Sequence, residues 1–143
     1  MFNRHWLVVV LSALLVSLLL TSCANSVRVS DAEPAPVTGS FNPEIKANGE
    51  TASIVVVRDA GFLATLLDVV VYLNNNIIGT LRPGQKVSIN IPPGDYVIGV
   101  GCKPCNDDYR SELQLAAIKG KRRAFRVSFI DGLRIQASAM INE

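Results

Sequence analysis

Cys102-Lys103-Pro104-Cys105 is the spacing in this sequence best suited to chemistry. Two thiols three positions apart oxidise readily outside the cytosol, and the bond then either holds a loop or exchanges with other thiols. Exchange needs a thiolate, and motifs that use one place the first cysteine at a helix N-terminus, which lowers its pKa. Here the pair follows a strand-like run and leads into Asn106, Asp107, Asp108 and Tyr109. The carboxylates oppose a thiolate, and Lys103 offsets them only in part. A structural loop disulfide is the favoured reading, with a thiol-disulfide oxidoreductase as the alternative. A reduction potential below about −300 mV marks the first, and one near about −120 to −200 mV the second. Zinc needs more ligands than these two, yet the third cysteine is Cys23 and the single histidine is His5. Covalent haem wants histidine after the second cysteine, where Asn106 stands. No metal or other cofactor is expected.

Lys119, Lys121, Arg122 and Arg123 form a basic cluster at an expected hairpin tip. Such a cluster meets lipid phosphates or an acidic partner, or simply keeps a loop solvated and a sheet edge unpaired. Asp107, Asp108 and Glu112 lack the alternating oxygen spacing of a calcium loop. With His5 outside the domain, Ser-His-Asp and Cys-His catalysis are excluded. A net charge of +2 and 6% aromatic residues predict neither nucleic-acid binding nor a stacking platform for bases or sugars.

The address of the chain lies in its first residues. Arg4 precedes an uncharged run over residues 6–20, too short to span a bilayer comfortably. It ends in Leu20-Thr21-Ser22-Cys23, the pattern of a lipobox, in which the cysteine thiol accepts diacylglycerol. Residues 1–22 are therefore expected to be a lipoprotein signal peptide and Cys23 the lipidation site. Two or three acyl chains, at about 0.8 kcal/mol per buried CH₂, anchor a protein stably. Under the sorting rule in which Asp after the cysteine retains a lipoprotein at the inner membrane, Ala24 predicts the outer membrane, facing the periplasm. Residues 23–50 are polar and punctuated by Pro and Gly, the composition of a flexible tether. Val27, Val29 and Val37 are isolated in it, while Phe41 and Ile45 suit a short docked element.

The elements that must position these groups lie in residues 51–143. The 143-residue chain, 49% hydrophobic, suits one compact domain. Residues 53–58, 68–73, 77–81, 86–91, 96–101, 112–117, 122–129 and 133–139 read as strands, by alternation or as β-branched runs. Val87, Ile89 and Ile91 face inward, as do Phe125, Val127 and Phe129. Turn signals separate the strands: the run Asn74-Asn75-Asn76, Pro83-Gly84, Pro92-Pro93-Gly94, Lys119-Gly120-Lys121 and Asp131-Gly132. Seven or eight short strands in about 90 residues predict an all-β fold, a small antiparallel β-sandwich or barrel. Gly99 and Gly101 suggest a close backbone approach, and a small ligand over that strand is a third reading. Phosphate-binding glycine motifs are absent from the sequence.

Residues 52–58, 69–81 and 89–97 resemble the DUF2846-type domains of bacterial lipoproteins, which are similar in style to PEGA domains. Gly79, Leu81, Gly84, Pro92, Pro93 and Gly94 follow the family's order. Asn75-Asn76 stands in place of the family's Asp-Gly turn. The resemblance covers about half of the domain and implies a surface β-sandwich without catalytic residues. The expectation is thus a lipid-anchored envelope protein with a binding or structural role, an accessory subunit or scaffold.

Overall fold

The computed structural model describes residues 26–39, 51–61, 66–103, 105, 109–129 and 132–138. These residues form nine strands and no helix: β1 (Glu33–Pro34), β2 (Ala52–Arg58), β3 (Asp68–Leu73), β4 (Asn76–Leu81), β5 (Gln85–Ile91), β6 (Gly94–Lys103), β7 (Arg110–Ala117), β8 (Arg122–Ser128) and β9 (Arg134–Ser138). They make a five-stranded sheet, ordered β1-β5-β2-β8-β9, and a four-stranded sheet, ordered β4-β3-β6-β7. The alternation of each strand turns one row of apolar side chains into the space between the sheets. Ile54, Val56, Phe125 and Val127 come from one side and Val69, Val71, Ile98 and Val100 from the other, all buried. The protein is therefore an all-β sandwich. Eight of its strands are those that alternation predicts.

Pairing differs from expectation in ways that alternation does not encode. The predicted sandwich is antiparallel, but β2 runs parallel to β8, from Ser53↔Arg122 to Arg58↔Val127, and β1 runs parallel to β5. The cause is where the chain changes sheet. Turns at residues 82–84, 92–93 and 118–121 each link a strand of one sheet to a strand of the other. Lys119-Gly120-Lys121 is therefore a turn between sheets and not a hairpin tip. The inner faces of both sheets read alike, so a period-two pattern shows which side chains are inward but not which sheet holds them.

Turn chemistry is legible more finely. Gly84 has φ 77°, and the Gln85 N–H donates to the Arg82 carbonyl at 3.1 Å, as a Pro-Gly turn of type II requires. Between β3 and β4 the central residues are Asn74 and Asn75, with φ 47° and 64°, which moves the turn one residue from the expected Asn75-Asn76. Two left-handed residues match the twist of a hairpin, and asparagine tolerates that region best after glycine. The β8–β9 connection is a hairpin, but its last pair is Ser128↔Arg134, so the loop is longer than the two residues that Asp131-Gly132 predicts. Gly79 sits where β4 approaches β5. A Cβ there would lie 3.0 Å from the Val87 side chain.

The largest correction concerns the tether. Residues 26–39 are not a free spacer; they form a strap across the larger sheet. Val27 and Val29 pack over Val55, Val57 and Ala124, with Ala32 buried beside them. The strap then pairs as β1 with β5, and Val37 bridges antiparallel to Gly79 of the other sheet. It thereby closes the edge between β5 and β4. On the opposite edge the Ile135 N–H donates to Ser111 Oγ at 3.2 Å, tying β9 to β7. The strap is legible only in retrospect: Val27 and Val29 alternate, and the outward row of β2 is itself apolar and needs a cover. Phe41 and Ile45 lie outside the described residues.

Candidate functional site

The strands place chemistry-bearing residues at two ends of the sandwich. One end, called here the cysteine end, collects the last residues of β2, β4, β6 and β8 and the first of β3, β5, β7 and β9. The other collects their opposite termini and the turn at 118–121. Ser128 lies six positions after Arg122 on β8, so the two ends stand about 20 Å apart.

Cys102 and Cys105 form a disulfide at the cysteine end, with Cα atoms 5.2 Å apart. Cys102 is the penultimate residue of β6 and packs against the core. The bond sits at a strand end, and the described residues around it contain no helix to lower a thiol pKa. A four-residue loop gives little chain entropy. Replacing both cysteines with serine should cost about 2 kcal/mol with the far-UV spectrum unchanged, read from the urea midpoint. Asp107 and Asp108 lie outside the described residues.

Arg58 is the feature that reasoning from sequence missed. It ends a strand of β-branched residues and is 1% exposed. Its Nη1 donates to the Leu67 carbonyl at 2.5 Å and to the Leu81 carbonyl at 2.7 Å, joining the larger sheet to β4 and to the approach to β3. Its guanidinium stands 5.3 Å from the Phe129 ring centre. Burial pushes its pKa below the ordinary arginine value, and Asp68 nearby acts the other way. The available signal was a lone charge at the end of an unbroken apolar run. Beside it, Leu67, Cys102, Cys105, Tyr109, Phe129 and Leu133 line a cavity of about 330 Å³.

The strap is fastened at this same end. Asp59 Oδ1 accepts from the Val27 N–H at 3.2 Å and from Arg126 Nη1, while Arg126 Nη2 donates to the Val27 carbonyl at 3.0 Å. An ion pair thus reads both polar groups of a single peptide residue. Lys86 Nζ donates to the Val29 carbonyl at 2.7 Å.

The basic cluster lies at the far end. The Lys121 N–H donates to the Ile118 carbonyl at 2.9 Å, the Gly120 N–H to Thr51 at 3.0 Å, and Gly120 adopts φ 67°. Lys119, Lys121, Arg122 and Arg123 are all exposed. Arg122 and Arg123 are consecutive strand residues and leave opposite faces, so the four cations surround the end rather than form one patch. The structure keeps the cluster and the cysteine loop apart.

Gly99 and Gly101 do make close approaches possible, but to the protein's own side chains. A Cβ on Gly101 would lie 3.3 Å from the Tyr72 ring, and one on Gly99 would lie 3.1 Å from Glu112 Cγ. Arg110 stacks on Tyr72 at 4.6 Å and pairs with Glu112 at 2.6 Å. An aromatic ring thus covers a strand glycine, a known device for register. An open depression of about 550 Å³ lies farther along, over Asn74, Asp95, Val97 and Gln114. The described residues hold no group of three or more metal-ligating side chains. Cys23 lies outside the described residues.

No family model matches this chain, and no curated protein matches it. The resemblance to DUF2846-type domains therefore rests on its motif residues alone. Among solved structures, an NMR structure of a protein from Eubacterium rectale is similar at a TM-score of 0.41 and 10% identity, covering 68% of this chain and 98% of that one. Likeness at that level carries no functional inference.

Proposed function

We propose that this chain is a lipid-anchored cell-envelope protein, held at the outer membrane and facing the periplasm, whose β-sandwich binds or scaffolds. The observation that carries this reading is Leu20-Thr21-Ser22-Cys23, directly after an uncharged run that begins behind Arg4. The strap supports it, because it fastens the polypeptide to the sandwich a few residues beyond Cys23. A non-catalytic role is supported by how these charged side chains are used. Arg58 holds two carbonyls, Asp59 and Arg126 hold a peptide, and Arg110 and Glu112 hold each other. The cations around residues 119–123 provide the surface for an acidic partner.

The test is metabolic labelling with an alkynyl fatty acid in a Gram-negative host, followed by density fractionation. The chain should carry label and sediment with the outer membrane, and Cys23→Ser should lose both. Label retained in Cys23→Ser would end the reading.

A further inference from the structure

We infer that the cysteine end of the sandwich docks on the lipid bilayer, with Leu66 and Tyr109 entering the boundary between headgroups and acyl chains. This rests on the acylation of Cys23 proposed above. Val27 is fixed to Asp59 and Arg126 on the outer face of the larger sheet, next to the cysteine end. Arg126 lies opposite Val57, one residue short of the end of β2. Val27 lies four positions after Cys23, and four steps of chain reach at most about 14 Å. A free tether over residues 23–50 would have reached about 90 Å and left orientation open. The strap removes that freedom. An acylated Cys23 draws this end to the membrane surface.

The surface it brings there suits a lipid interface. Leu66 is 95% exposed and Tyr109 54% exposed. They stand at the end that also holds the apolar cavity lined by Leu67, Phe129 and Leu133. Tyrosine favours the interface because its ring is apolar and its hydroxyl stays wet. Arg82, Lys103 and Arg134 are exposed around the same end, at the termini of β4, β6 and β9, where they meet anionic headgroups.

The far end is the competing surface. It has four cations and a half-exposed Ile118. Charge alone favours it. Its distance from Val27 decides against it: the anchor would have to run fully stretched along the length of the sheet to lay that end on the same membrane. Docking through the cysteine end leaves Lys119, Lys121, Arg122 and Arg123 pointing away from the bilayer.

The experiment places a single tryptophan at either end of the full, processed chain. The sequence has one tryptophan, Trp6, which leaves with the signal peptide, so the processed chain gives a silent background. Leu66→Trp and Ile118→Trp are then compared in vesicles of phosphatidylethanolamine and phosphatidylglycerol with brominated acyl chains. Mass spectrometry reports the acyl groups on Cys23. The expected result is blue-shifted, bromine-quenched emission from Leu66→Trp and unshifted, unquenched emission from Ile118→Trp. Acylated protein whose Leu66→Trp emission stays that of water overturns the docking and leaves the anchor standing. Quenching of Ile118→Trp in its place overturns it equally. Protein without acyl chains at Cys23 overturns the anchor and the docking together.

Discussion

Replacing Arg58 with alanine should lower the unfolding free energy by about 3–5 kcal/mol, seen as a shift of the urea midpoint at constant slope. Two effects add. The Leu81 carbonyl loses a charged donor in a buried place and the Leu67 carbonyl in a part-buried one, and hydrogen bonds to charged groups are worth about 1.5–3 kcal/mol each. The long side chain also leaves a void between the sheets at the cysteine end. A domain of this size has about 5–15 kcal/mol in all, so the variant stands near the limit of folding. Arg58→Lys keeps the charge but not the planar guanidinium over Phe129, and should recover part of the loss. A midpoint for Arg58→Ala within 0.5 kcal/mol of the parent, about the size of an ordinary surface substitution, would show that these contacts are incidental.

The second large effect is expected at the strap. Arg126→Ala removes the donor to the Val27 carbonyl and strands Asp59 in a partly buried site. Local opening of residues 26–32 should become easier by about 2 kcal/mol, which is roughly 30-fold in the open population. Arg28 lies in this segment and provides the readout, since trypsin cleaves after it only when the strap lifts. Its carbonyl accepts from the Asp31 and Ala32 N–H groups, so the segment is folded on itself while closed. Cleavage after Arg28 should therefore speed up about 30-fold in Arg126→Ala, provided closing outpaces cutting. Cleavage elsewhere in the sandwich should change less. An unaltered rate at Arg28 would transfer the fastening to Lys86 and β1.

What the sequence made legible follows from what local pattern can encode. Strand positions and inward rows were readable because period two is a property of each strand alone: Val87, Ile91, Phe125 and Val127 are buried as their alternation requires. Gly84 was readable because a single turn fixes its φ. The parallel pairing of β2 with β8 was not, since it depends on which sheet receives each strand after a turn. The strap was missed because its polar and Pro-rich composition conceals a few small apolar contacts, from Val27 to Ala32, that matter only once Val55 and Val57 are beneath them. Arg58 was missed because a buried cation makes sense only when the carbonyls it serves are known.

The parallel partnership of β2 and β8 also bears on timing. β2 is the central strand of the larger sheet, and one of its flanks stays open until residues 122–128 have been delivered. Pairing across so much sequence is slow, because the loop must close before any contact rewards it. For the exported chain proposed above that delay is useful: the larger sheet cannot close until residues 122–128 have crossed the membrane. The same delay presents Ile54, Val55, Val56 and Val57 as an unpaired, β-prone edge on arrival. The interval before closure is thus the period in which this edge is most open to mispairing with other strands.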